Sequence, residues 1–229
     1  MKLKDGHKLG YAEAGDLNGK PIFHFHGHPG SRLEINFFGE KSKEHGVHII
    51  TVDRPGFGLS DFQIKRTLLD WADDVVKLAD HLELDKFAVT GISGGEPYTV
   101  VCAYKIPEKI INCGIIVGIT PINFSKKGMI LSNRIIFFIG KWLPFLLRRI
   151  TKMEMKLFED PKAIKKLTEI LPESDKKFLD NPELLEIFIE ESKEGFRSGL
   201  DGLVLDNRLY SKPWGFKLNE ISPDLQVHL

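Results

Sequence analysis

Apolar residues in the first half of this chain gather in short continuous runs, and in the second half they recur at helical spacing. Three runs stand out: Pro21-Ile22-Phe23-His24-Phe25-His26-Gly27, Val47-His48-Ile49-Ile50-Thr51-Val52-Asp53 and Lys86-Phe87-Ala88-Val89-Thr90. Each ends in a turn rich in glycine, and near-continuous apolar strands of this kind belong in a parallel sheet covered on both faces. Lys8-Leu9-Gly10-Tyr11-Ala12-Glu13-Ala14-Gly15 alternates instead, which predicts the second strand of an N-terminal hairpin turned at Asp5-Gly6. Residues 67–81 place Leu68, Leu69, Ala72, Val75, Val76 and Leu78 on one side and charges on the other, an amphipathic crossover helix. Strands alternating with helices predict the α/β class: a mostly parallel twisted sheet with helices on both faces.

Beyond Thr120 the texture changes. To about residue 209 no apolar run ends in a turn and helical patterns dominate, so three units are expected: a core over 1–119, a helical cap over 120–209, and a return to the core over 210–229 that ends in a strand. The stretch 129–150 is strongly apolar, but Arg134, Lys141, Arg148 and Arg149 interrupt it. A bilayer span needs about 20 mostly apolar residues without such charges, which excludes a transmembrane helix here. A lid over a substrate pocket and a membrane-surface helix stay open. Farther on, Leu171-Pro172 and Asn181-Pro182 separate charged helices, and Glu190-Glu191-Ser192-Lys193-Glu194 reads as a solvated face.

The chemistry concentrates at Gly91-Ile92-Ser93-Gly94-Gly95, between the strand-like run 86–90 and a helical segment carrying Val100, Val101, Ala103 and Tyr104. A serine flanked by glycines at a strand-to-helix turn can adopt a strained backbone that stands its hydroxyl above the sheet edge, a nucleophile elbow. The helix that follows aims its N-terminal amides at whatever Ser93 attacks. The bland alternative is an ordinary glycine-rich turn; the strand before and helix after favour the elbow. The cap begins where a cover over Ser93 would originate, which favours the lid.

Charge and cysteine content narrow the setting. Thirty-two basic residues cancel thirty-two acidic ones, so neither nucleic acid nor an anionic membrane is expected as main partner. Cys102 and Cys113 lie in apolar contexts, as buried free thiols of a reducing compartment do, and the N-terminus carries no apolar run of a signal peptide. The expected location is cytoplasmic. No metal-ligand spacing and no phosphate-binding loop is found, so neither metal nor cofactor is expected.

His26-Gly27-His28-Pro29-Gly30, Asp53-Arg54-Pro55-Gly56-Phe57-Gly58-Leu59-Ser60, the elbow at Ser93 and Pro213-Trp214-Gly215-Phe216 follow one another along the chain. In that order they resemble the α/β-hydrolase fold family, in its proline-iminopeptidase-like and esterase-like branch. The resemblance implies an oxyanion hole made by the backbone N–H groups of His28 and Gly94, with His26, Gly27, Pro29, Gly30, Gly91 and Gly95 shaping the supporting turns. It implies a serine hydrolase acting on a small-molecule ester, amide or peptide through an acyl-enzyme on Ser93. It also implies a triad acid and histidine downstream of residues 224–229, where this chain ends. The expectation is therefore a truncated hydrolase lacking a C-terminal strand-helix unit, with little activity of its own. The other reading is a non-catalytic binding scaffold with the same fold. An uncovered sheet edge would invite homo-oligomers.

Several residues keep bland readings. Asp53 and Arg54 read as structural members of their turn, and Asp206 as a helix-surface or capping residue. Trp142, Phe137, Phe138 and Phe145 are either core or the lining of an acyl pocket. His28 shapes the oxyanion turn more readily than it serves as a base.

Overall fold

The computed structural model describes residues 1–121, 129, 131–160, 163–164, 173, 176–177, 180–222 and 225–228. Its strands are β1 Tyr11–Gly15, β2 Lys20–Phe25, β3 Val47–Val52, β4 Phe87–Ile92, β5 Ile110–Ile116 and β6 Gln226–His228. They form one sheet in the order β1-β3-β2-β4-β5-β6. Only β1 runs antiparallel to its neighbour; the other pairings are parallel. The strand before Ser93 is therefore central, flanked by β2 and β5. The chain leaves β2 toward β3 on one side and β4 toward β5 on the other. That places a topological switch point between the carboxyl ends of β2 and β4, where open α/β sheets bind their ligands.

Side-chain alternation sorts the two faces. Phe23, Phe25, Phe87 and Val89 point to one side and pack with Trp71, Val75 and Leu78 of α2 (Asp70–His81) and with Tyr98 and Val101 of α3 (Glu96–Lys105). The Phe25 and Trp71 rings meet edge to face at 5.2 Å. His24 and Thr90 point the other way, where His24 Nε2 lies 2.8 Å from Glu34 of the 3-10 turn Arg32–Phe37. On β1 and β3 rests the short α1 (Gly39–Glu44). Helices cover both faces, and the α/β architecture expected from the runs is the one that forms.

Two local expectations shift. The helix expected from 67 starts at Asp70, because the Asp70 carboxylate accepts from both the backbone N–H and the hydroxyl of Thr67 and holds the preceding residues in a turn. The N-terminal hairpin is short: Lys2 stands opposite Lys8, the Leu3 N–H bonds to the His7 carbonyl, and the Leu9 N–H to the Met1 carbonyl. Lys8 and Gly10 also bond to the loop after β3: Lys8 N–H to Asp61, Gly10 N–H to Ser60 Oγ, and Asp53 N–H to the Gly10 carbonyl.

The region after β5 contains α4 (Leu131–Trp142), α5 (Pro144–Glu159), α6 (Pro182–Gly195) and α7 (Asp201–Tyr210). Pro144 and Pro182 sit in first turns, where a missing N–H costs nothing, and Asn181 caps α6 through its side chain. A second apolar cluster, Phe57, Phe158, Phe196 and Leu203, ties α5, α6 and α7 to the turn after β3. The Leu171-Pro172 break and Asp224 lie outside the described residues. Cys102 and Cys113 are free and buried. Among the described residues no helix is long and apolar enough to cross a membrane, and no group of three His, Cys, Asp or Glu is placed to hold a metal ion.

At the start of α3, Glu96 is buried with Oε2 unpartnered among the described residues, and burial pushes its carboxyl up to about 8. The unfolded chain ionises near the ordinary glutamate value while the folded chain keeps the proton, so this residue removes stability as pH rises from about 4.5 to about 8. Glu96→Gln is expected to flatten the fall in melting temperature between pH 5 and 8. Circular dichroism melts of both proteins check it, and parallel curves would contradict it.

Candidate active site

Ser93 follows β4 directly, in a 3-10 turn over Ser93–Gly95 that runs into α3. Its φ of +49° lies in the left-handed region, where a residue with a Cβ is strained. Two close approaches explain the glycines around it. A Cβ on Gly95 would run into the Phe25 carbonyl oxygen of the neighbouring strand, and one on Gly94 would stand 2.8 Å from the His28 Cβ. The pairing of Phe25 with Gly91 sets the two turns side by side, because His28 is three residues past one strand and Ser93 two residues past Gly91. His28 and Ser93 share the wall of a cavity of about 790 Å³, with Met129 and Phe137, and with Glu154, Asn207 and Tyr210 from the helices that follow.

The turn after β2 is held from behind. Arg54, wholly buried, donates through Nη1 to the His26 carbonyl and through Nη2 to the Gly27 carbonyl at 3.2 Å. His26 Nε2 accepts the Arg54 backbone N–H at 3.2 Å, so the ring proton sits on Nδ1, which lies 2.9 Å from the Gly27 oxygen. Burial, with the Arg54 charge beside it, holds His26 neutral, well below the usual histidine value. The Gly27 carbonyl thus accepts two donors, one of them a cation. The N–H of that same peptide unit belongs to His28, and hydrogen bonds in such a chain polarise one another. His26, Gly27, Pro29 and Gly30 occupy the turn, while Gly91, Gly94 and Gly95 line the elbow beside it. The peptide between His28 and Pro29 is cis.

Residues 20–131 match the alpha/beta hydrolase fold family. An uncharacterised hydrolase of Bacillus subtilis is 36% identical over 107 residues, which cover 46% of this chain and 36% of the relative. A proline iminopeptidase of Clostridium botulinum is 32% identical over 123 residues, 48% of this chain and 42% of the relative. The matched segment thus spans less than half of either relative. An alpha/beta hydrolase fold protein from Nakamurella multipartita superposes with a TM-score of 0.63 at 18% identity, over 96% of this chain and 76% of its own. The chain has the alpha/beta hydrolase fold.

In this alpha/beta hydrolase fold protein the expectation for Asp206 is overturned. It is not a helix-surface or capping residue: fully buried on α7, it takes Arg54 Nε at 3.0 Å on one oxygen and Arg66 on the other. Tyr98 and Tyr210 complete the cluster, and Tyr210 Oη lies 2.7 Å from the Gly94 carbonyl. The bland reading failed because Arg54 stands 152 residues away, and no local pattern reveals such a pairing. Asp53 keeps its structural reading: Oδ1 accepts the Arg32 N–H, and Oδ2 accepts the Leu59 N–H and the Arg32 side chain.

No histidine among the described residues reaches Ser93. His24 is tied between Thr90 and Glu34, His48 to Glu13 and His7 to Asp5. His28 is nearest. Burial first, and Arg54 second, bring its imidazole down to about 4. Asn207 Nδ2 donates to the Leu203 carbonyl and lies 3.0 Å from His28 Nε2; the reversed amide would set two acceptors face to face. His28 Nε2 is therefore an occupied acceptor, and the proton sits on Nδ1, which has no partner among the described residues.

Sequence reasoning missed two carboxylates. Glu154 on α5 is half-buried in the cavity wall, and burial raises it to about 7. Glu191, read as solvated, is buried against the turn and accepts the Ser31 N–H at 3.1 Å, with burial pushing it well above the ordinary range. A helical wheel showing Glu191 on the same side as Leu184 and Phe188 of α6 was the available signal for it.

Neutral histidine in water prefers the proton on Nε2, so the His28 assignment is distinctive. Nitrogen-15 spectra of the folded chain at pH 7 are expected to show His28 protonated on Nδ1, and Asn207→Leu to shift it toward the Nε2 form. Wild-type His28 protonated on Nε2 would contradict the assignment.

Proposed function

We propose that this chain is a serine hydrolase of esters or amides in which Ser93 is the nucleophile. The observation that carries this reading is Ser93 itself: a non-glycine residue held at φ +49° at the carboxyl end of the central strand, in the wall of the cavity. Strain of that kind persists only where the surrounding structure over-determines it, and it clusters at active sites.

In this reading Ser93 Oγ attacks the acyl carbonyl, and the N–H groups of His28 and Gly94 take the negative charge that develops on oxygen. Losing one such donor costs about 3–4 kcal/mol of transition-state stabilisation in other systems. The double hydrogen bond on the Gly27 carbonyl supports the role of His28, since it strengthens the N–H of the same peptide. The leaving alcohol or amine departs as the acyl-enzyme forms, and water then releases the acid. Residues 120–209 serve as the cap over the cavity, between a core at 1–119 and the return at 210–229. Two buried thiols fit a cytoplasmic protein.

None of the eight histidines is placed as the base, so slow turnover is expected. A non-catalytic scaffold is the second reading, favoured by that same lack of a base. Among amide substrates, Glu154 favours one bearing an amine, because a carboxylate in an apolar wall pairs best with a cation. That agrees with the proline iminopeptidase among the relatives.

Purified chain is expected to cleave p-nitrophenyl acetate slowly, and Ser93→Ala to bring the rate to that of buffer. For prolyl p-nitroanilide, KM should fall as pH rises through about 7, where Glu154 ionises. Glu154→Gln should remove that dependence and leave the neutral ester unaffected. Steady-state kinetics between pH 5.5 and 8.5 check both, and equal rates for wild type and Ser93→Ala would establish the scaffold.

A further inference from the structure

The cap carries a second apolar face that the cavity does not use. On α4, Phe137, Ile139 and Gly140 are buried, and Ile136 and Phe137 line the cavity with Ser93. On the outer side Leu131, Ile135, Phe138 and Trp142 are 69%, 48%, 60% and 62% exposed, with Phe145 at the start of α5 at 68%. Positions 131, 135, 138 and 142 recur at three and four residues, so they form one continuous stripe along the helix. Isolated exposed apolar residues are ordinary, but an apolar stripe of this size marks an interaction surface.

Charge identifies the partner. From Leu131 to Met153 the sequence has five basic residues, Arg134, Lys141, Arg148, Arg149 and Lys152, and no acidic one, in a chain whose total charge is zero. Arg148 is spent on Asp201. Arg134 and Lys141 flank the stripe on the same helix, and the Lys141 ammonium lies 5.0 Å from the Trp142 ring centroid. Large apolar side chains and a tryptophan beside basic residues with long stems are the composition of a helix that lies in a lipid interface. An anionic headgroup layer supplies both the apolar depth and the charge that such a face requires.

We propose that the outer face of α4 and the start of α5 dock this protein on an anionic lipid surface, with Leu131, Ile135, Phe138, Trp142 and Phe145 entering the headgroup region. The same helix walls the cavity on its inner side, so docking sets the lipid across α4 from Ser93. If the serine hydrolase reading holds, lipid-borne acyl esters are the substrates concentrated beside it. The docking itself does not depend on that reading.

The chain contains its own reporter. Trp71 and Trp214 are buried and Trp142 is the exposed one of the three tryptophans. Mixed phosphatidylcholine and phosphatidylglycerol vesicles are expected to blue-shift the emission and to sediment with the protein, and pure phosphatidylcholine vesicles to do neither. Phe138→Ser should lower vesicle affinity by about tenfold, and Arg149→Glu by about fivefold. Ser93→Ala should bind vesicles like wild type whether or not it abolishes hydrolysis, which separates this test from that of the enzyme. No emission shift with the mixed vesicles would overturn the proposal, as would equal binding to both compositions. A dimer in light scattering whose Trp142 emission is already blue without lipid would assign the face to a second copy instead.

Discussion

Arg54 is a cation with no exposed surface, and the rest of the site is arranged around its needs. A guanidinium taken wholly out of water is tolerated only with a charged partner and every donor placed. Asp206 supplies the charge from α7, and the carbonyls of His26 and Gly27 accept from the remaining nitrogens. Its plane also lies against the Phe57 and Tyr98 rings, 4.7 Å and 5.1 Å from their centroids. One side chain thus ties the end of β3 to the turn after β2, to α3 and to the helices after β5. Removing Asp206 without replacement would leave two buried guanidiniums, Arg54 and Arg66, with no charged partner in the cluster.

The link between packing and chemistry runs through that residue. The turn that presents the His28 N–H is fixed by Arg54 and His26, and the elbow that presents Ser93 is fixed by glycines too close to β2 to carry side chains. Tyr210, from the same helix as Asp206, touches the Gly94 carbonyl. The turns at the sheet edge and α7 therefore share hydrogen bonds at the site. Motion of α7 relative to the sheet would be felt at both turns.

How much of this could be read from sequence depended on the range of the interaction. The strands around 22, 50 and 89 and the turn from β4 into α3 at Ser93 were legible because periodicity, glycine spacing and a strand-turn-helix order are local. Asp53 was read correctly as structural for the same reason: it serves amides only six and 21 residues away. Asp206 and Glu154 were not legible, since their burial is decided by helices that pack across the whole chain. The stretch 129–150 posed a choice between a lid and a membrane-surface helix. In the fold one side of α4 lines the cavity and the other is bare, a division that hydropathy alone does not show.

The proposal stands or falls on whether Ser93, His28 and Gly94 form one reaction centre. The decisive measurement is a crystal structure after prolonged exposure to a fluorophosphonate. Phosphorus is expected bonded to Ser93 Oγ, with the phosphoryl oxygen within hydrogen-bond distance of both the His28 and Gly94 N–H groups. An unmodified Ser93 beside a phosphonylated residue elsewhere, or an adduct whose oxygen turns away from both amides, would contradict it.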